Sequence, residues 1–184
     1  MTQKTNKKTK NILNLPRSTA TWFFRFLNMS KIGVFVGSFD PITCAHHDLI
    51  LRALAFCDTI VVGIGKNDQK QHYFSLEQRL AFVQKAFEGK ENILIESYSG
   101  ATVDFCRKHE ARLMIRGLRD ASDWAYEKKL AEINRHLDTN IETLLLPTRA
   151  AWSFVSSSMI REMLRLDKDP TPFLPEKLKW QDLL

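Results

Sequence analysis

The 184-residue chain is predicted to fold as an α/β domain, a doubly wound parallel sheet of five strands with helices on both faces. Two observations carry the prediction. Short runs at 32–36, 59–64, 92–95, 113–115 and 142–146 are apolar at consecutive positions, as expected of strands covered on both sides. Segments with apolar residues at helical spacing lie between them: Ile50, Ala53, Leu54 and Cys57, then Leu76, Leu80, Val83 and Phe87. Further on, Tyr126, Leu130, Ile133 and Leu137 stripe a third helix, and Met159, Ile160, Met163 and Leu164 a fourth. The second helix opens with Ser75-Leu76-Glu77-Gln78, a capping-box pattern. Strand–helix alternation at this rhythm gives βαβ units in a Rossmann-like arrangement, whose ligands sit beyond the carboxyl ends of the strands. The informative loops are therefore those after Val36, Ile64, Ile95, Ile115 and Leu146.

Charge is unevenly placed. Lys and Arg number 27 against 21 Asp and Glu, a net charge of +6. Six of those bases (Lys4, Lys7, Lys8, Lys10, Arg17, Arg25) fall in residues 1–30, which hold no acid. Residues 31–184 thus carry 21 bases and 21 acids, and net charge gives no ground for a nucleic-acid binder. Residues 1–30 are expected to form a disordered basic extension, with residues 31–184 as the single domain. An organellar transit peptide, translation starting at Met29, or docking of Trp22, Phe23, Phe24 and Phe26 on the body are alternatives. The apolar patch at 20–29 is broken by Arg25, which argues against a secretory signal. Three cysteines (Cys44, Cys57, Cys106) without a CxxC pair argue against a disulfide framework or zinc knuckle. No apolar run approaches the roughly 20 residues of a membrane span, so no membrane partner and a cytoplasmic location are expected.

The first strand–helix turn reads Gly37-Ser38-Phe39-Asp40-Pro41-Ile42-Thr43-Cys44-Ala45-His46-His47. It matches neither common phosphate loop, yet a glycine, a hydroxyl and the amides of a following helix suit a phosphate. His46 near that first turn is either a capping residue or a group that steadies negative charge on a phosphate oxygen. The pattern Gly-Ser-Phe-Asp-Pro-Ile-Thr-x-x-His resembles the (T/H)xGH signature of the nucleotidyltransferase superfamily, and with Thr43 in place of His, that of the bacterial phosphopantetheine adenylyltransferase family. The resemblance extends to Ile115-Arg116-Gly117-Leu118-Arg119, to Asp123-Trp124-Ala125-Tyr126-Glu127 with Asn134-Arg135-His136-Leu137, to Trp152-Ser153-Phe154-Val155-Ser156-Ser157-Ser158, and to Phe173-Leu174-Pro175. It spans about residues 31–180.

The resemblance implies an enzyme that transfers AMP from ATP to 4′-phosphopantetheine, giving dephospho-coenzyme A and pyrophosphate in coenzyme A biosynthesis. It implies that His46 stabilises the transition state, that Ser38 and Phe39 contact nucleotide and substrate, and that Lys70 holds the substrate phosphate. It also places Arg116 on the pantetheine phosphate, Thr102 on the pantetheine arm, and Gly117, Leu118, Arg119, Glu127 and residues 152–158 on ATP. On its own residues, Glu127 equally suits an exposed carboxylate pairing Lys128 or Arg135. Mg²⁺ is expected with ATP, no metal ligand is predicted in the protein, and a homohexamer is implied by the resemblance. Rival readings are another adenylyl- or cytidylyltransferase of the superfamily, a non-catalytic nucleotide or coenzyme A sensor, and a nucleic-acid or membrane-associated protein acting through its basic tail. One departure stands out: Ala45 occupies the glycine position of the signature. A left-handed backbone there makes alanine cost roughly 1 kcal/mol, whereas a merely small site tolerates it. Cys44, beside it, is an oxidation liability if exposed.

Overall fold

The β-branched and leucine-rich runs do become strands. The computed structural model describes residues 31–66 and 71–184. The expected extension 1–30, and Lys70, lie outside the described residues. The order is β1 (Ile32–Gly37), α1 (Cys44–Ala53), β2 (Thr59–Gly65), α2 (Leu76–Ala86), β3 (Ile93–Tyr98), α3 (Thr102–Lys108), β4 (Leu113–Leu118), α4 (Ala121–Leu137), β5 (Glu142–Pro147) and α5 (Ser157–Arg165). Short 3₁₀ turns follow at Ala150–Trp152, Thr171–Phe173 and Trp180–Leu183.

All five strands are parallel, in the order β3-β2-β1-β4-β5. Alternate side chains feed two cores. Phe35, Ile60, Val62 and Ile64 meet Ile50 of α1, Val83 of α2 and Ile160 of α5, while Val34, Val36, Val61 and Met114 meet Val103, Phe105 and Cys106 of α3. Burial on both faces is what the continuous apolar runs anticipate. No helix among the described residues is long and apolar enough to cross a membrane.

The chain reverses direction of winding between β1 and β4, and there the sheet opens. Pairing of the two strands stops at Phe35↔Ile115, although β1 continues to Gly37 and β4 to Leu118. The residues beyond that last pair border a crevice at the topological switch point, the place where such sheets bind ligands.

Several details differ from expectation: α1 ends at Ala53, short of Leu54 and Cys57, and β3 runs three residues past Ile95, to Tyr98. The fourth strand runs three residues past Ile115, because Arg116, Gly117 and Leu118 keep pairing with Leu145, Leu146 and Pro147; Arg116 therefore stands on a strand end and not in a loop. The stripe on α4 is not core either. Tyr126, Ile133 and Leu137 are exposed, and Glu127 is the buried residue of that helix.

Candidate functional site

The turn after β1 is built around Phe39. Its backbone is left-handed, with φ 46°, and its ring folds back to where a Cβ on Gly37 would stand, 3.1 Å from that position. The ring is buried, with Phe35 at 6.2 Å and the His46 imidazole edge-on at 5.3 Å between centroids. Phe39 thus supports His46 from below, and its side chain is turned away from solvent.

Thr43 then caps α1. Its hydroxyl accepts from the His46 amide at 3.3 Å, and the Thr43 amide donates to His46 Nδ1 at 3.2 Å, completing a capping box in which histidine replaces the usual Glu or Gln. The Thr43 hydroxyl also lies 3.0 Å from Nδ1. Because Nδ1 accepts the backbone proton, the neutral ring carries its own proton on Nε2. Burial, with the Arg119 and Arg116 guanidiniums nearby, pushes this imidazole down to about 4. At neutral pH His46 is an uncharged donor in a fixed orientation. The capping alternative for this residue is what the structure shows, with Thr43 fixing the orientation of the ring.

Ala45 and Cys44 occupy the first turn of α1, buried against Val155. Ala45 does not have positive φ, so alanine at this position carries no backbone strain. Burial pushes the Cys44 thiol up to about 11, which keeps it protonated and unreactive.

At the end of β4, Arg116 gives two hydrogen bonds to Glu127, Nε to Oε2 at 2.8 Å and Nη2 to Oε1 at 2.6 Å. Its Nη1 reaches across the opened sheet to the Val36 carbonyl at 2.9 Å. Burial alone would pull this guanidinium down, but the hydrogen bonds and charge of Glu127 outweigh it and hold Arg116 above its ordinary value. Gly117 lets Leu49 of α1 approach the strand, since a Cβ there would collide with the leucine side chain. Arg119 is held by Asp123 through both carboxylate oxygens at 3.0 Å.

The first-turn serines of α5 are individually committed. Ser156 caps the helix by accepting from the Met159 amide at 3.1 Å, Ser157 donates to the Pro41 carbonyl at 2.7 Å, and Ser158 accepts from Arg161 at 3.1 Å. Arg161 also donates to the Asp40 carbonyl at 2.6 Å. The buried Asp40 carboxylate accepts the Tyr73 and Phe74 amides at 3.0 and 2.9 Å, which ties the segment returning from β2 to the first turn.

These groups border two cavities that meet. The smaller, about 420 Å³, is lined by Ser38, Phe39, Ala45, His46, Gly117, Arg119, Val155, Ser156, Ser157, Ser158 and Arg161, among others. The larger, about 770 Å³, is lined by Lys66, Tyr98, Thr102, Tyr126, Leu130 and Asn134, among others. Gly37, Ser38, Arg116 and Glu127 line both. The two cavities therefore share a wall at those residues. Each volume is of the size that small-molecule sites occupy.

Residues 34–163 match the cytidylyltransferase-like family model. A phosphopantetheine adenylyltransferase from Phocaeicola vulgatus is 42% identical over 146 residues, covering 79% of this chain and 96% of the relative. One from Flavobacterium psychrophilum is 40% identical over 146 residues, with 79% and 96% covered. The chain belongs to the phosphopantetheine adenylyltransferase family. A solved Vibrio parahaemolyticus structure, assigned as a nicotinate-nucleotide adenylyltransferase, shares the fold with a TM-score of 0.60 at 15% identity, covering 80% of this chain and 88% of that one.

Several residues singled out for this phosphopantetheine adenylyltransferase family member line neither cavity. Leu118 is taken up by the β4–β5 pairing, Trp152 packs on the Cys44–Ala45–Val155 cluster, Ser153 donates to the Ala150 carbonyl, and Phe154 is exposed beside Phe173. Thr102 opens α3, shares a hydrogen bond with the Tyr98 hydroxyl at 3.1 Å, and lines the larger cavity. Glu127 pairs with Arg116 and neither with Lys128 nor Arg135, which pair with Glu132 and Glu142 instead. Asp40, Arg79 and Arg161 escaped the sequence reading. Arg161 had a signal, lying four residues after Ser157 on the same helix face; Arg79, beside an apolar stripe, had none.

Proposed function

We propose that this chain catalyses transfer of AMP from ATP to 4′-phosphopantetheine, producing dephospho-coenzyme A and pyrophosphate in the cytoplasm. The observation that carries the proposal is the meeting of two cavities at Ser38, Arg116 and Glu127, beside a neutral, oriented His46. ATP fits the smaller cavity, with its phosphates toward the first turn of α5 and toward Arg119. The pantetheine arm fits the larger cavity, past Thr102 and Tyr98, with its phosphate at Arg116. An oxygen of that phosphate attacks the α-phosphorus, and the bond from the α-phosphorus to the bridging oxygen of pyrophosphate breaks. No covalent protein intermediate is needed. The His46 Nε2–H donates to a non-bridging α-phosphate oxygen as charge shifts there, a stabilisation that costs no reorganisation because Thr43 has already set the ring. Lys70 is assigned the converging phosphates by resemblance to the family.

Mg²⁺ is proposed to travel with ATP and neutralise its triphosphate. No group of three carboxylate, histidine or cysteine side chains among the described residues is arranged for a metal. Assembly into a homohexamer is also proposed; the exposed Tyr126, Ile133 and Leu137 on α4 supply an apolar face of the kind such contacts use.

The test is pyrophosphate release from ATP and Mg²⁺ with a panel of acceptors. Turnover with 4′-phosphopantetheine supports the reading. Turnover only with nicotinate mononucleotide, or tight nucleotide binding without any pyrophosphate, overturns it.

A further inference from the structure

Arg79 of α2 is the one Lys or Arg that is buried among the described residues, at 2% exposure. Nothing in its own helix calls for a charge there. It lines neither cavity. Its Nη1 donates to two backbone carbonyls, Ser38 at 2.7 Å and Gly65 at 3.2 Å, and its Nε has no hydrogen-bond partner among the described residues. Those carbonyls lie at the carboxyl ends of two different strands. Ser38 follows β1 on the wall common to both cavities, and Gly65 is the last residue of β2, where the segment carrying Lys66 and Lys70 leaves the sheet. Asp40 fixes the return of that segment by accepting the Tyr73 and Phe74 amides. Arg79 and Asp40 therefore pin its departure and its return to the same turn.

The charge itself needs a reason. Bridging two carbonyls takes only neutral N–H donors, and a neutral side chain avoids the desolvation that a buried guanidinium incurs. No carboxylate among the described residues lies within ion-pair distance of Arg79; Asp40 and Glu77 act on it only through space. A cation buried beneath a site for two polyanions, offset only through space by Asp40 and Glu77, is balanced further when those anions arrive.

We propose that Arg79 is a positioning residue for phosphoryl transfer: it locks the Ser38 turn to the end of β2 and sets a fixed positive charge beneath the point where the two substrates' phosphates meet. This rests on the adenylyl-transfer reading above. The test uses the full-length protein with ATP, Mg²⁺ and 4′-phosphopantetheine, wild type measured alongside. Arg79→Met loses about 100-fold in kcat, the scale on which small misplacements act, while KM for ATP stays within about threefold because the α5 and Gly117–Arg119 contacts are untouched. In Arg79→Ala, guanidinium at millimolar concentration restores kcat and urea, its uncharged isostere, does not. Should these variants fail to fold, Arg79→Lys decides, since it keeps the charge on a shorter stem; about a tenfold fall in kcat is expected from reaching one carbonyl only. A folded Arg79→Met or Arg79→Lys with wild-type kcat overturns the proposal, as does equal rescue by urea. Wild-type protein that releases no pyrophosphate overturns the adenylyl-transfer reading, and this one with it.

Discussion

Replacing Glu127 by alanine tests the pair on which the shared wall is built. Glu127 is 7% exposed, and its carboxylate takes two N–H groups of Arg116 at 2.6 and 2.8 Å. Its removal leaves a half-buried guanidinium with the Val36 carbonyl as its remaining partner among the described residues. Breaking a buried pair from one side typically costs about 3–5 kcal/mol. Arg116 keeps 25% of its side chain exposed, so the lower end applies, about 3 kcal/mol. Urea titration should show that loss as a lower midpoint with an unchanged slope, and for a domain of this size Tm should fall by roughly 6–12 °C. Kinetically, KM for the phosphate acceptor should rise more than KM for ATP, because Arg116 is the group left unanchored. Glu127→Gln, which keeps the shape and one acceptor, should fall between. A stability loss below about 1 kcal/mol for Glu127→Ala, with both KM values unmoved, would refute the view that this pair organises the wall.

Other expectations follow from the first turn and the tail. His46→Gln should sharply reduce kcat while preserving the fold by circular dichroism. The folded His46 is held at about 4, below an unfolded value near 6.5, so the unfolded chain takes up the proton first as pH falls. That contribution is complete above pH 6.5, is lost between 6.5 and about 4, and amounts to at most about 3 kcal/mol. His46→Gln should lack this limb in denaturation measured against pH, and an identical pH profile in both proteins would contradict the assignment. Ala45→Gly should lose about 0.5–1 kcal/mol, since glycine gains nothing at a helical φ; a rise in Tm would expose strain that the geometry denies. Removing residues 1–28 should leave kcat/KM unchanged, and a large loss would assign the tail a part in the chemistry.

What was legible in the sequence divides along a physical line. Strand positions follow from consecutive apolar residues, and the α2 start follows from Ser75 and Gln78, because local chemistry alone dictates both. Strand ends were less legible: Arg116 is charged, yet β4 continues through it because pairing with β5 and a carboxylate from α4 outweigh its reluctance to be buried. The α4 stripe failed as a core signal for the opposite reason. Helical spacing reports that one face is apolar, not what covers it, and Tyr126, Ile133 and Leu137 stay open in the isolated chain. The least legible residues, Asp40, Arg79 and Arg161, share one property. Each bonds to backbone groups or side chains far from it along the chain, Arg161 to residue 40, Arg79 to residues 38 and 65, Asp40 to residues 73 and 74. Motif spacing records which side chains face a ligand; Arg79 faces only the loops that carry those side chains, while Asp40 and Arg161 tie loops together and also line the smaller cavity. His46 was readable because its partner, Thr43, is three residues away, and a capping box is local. The site is therefore held in two ways. Local caps aim individual donors, and long-range charged clasps set the distance between the loops that bear them, so that changing Arg79, the clasp that lines neither cavity, should move turnover more than nucleotide affinity.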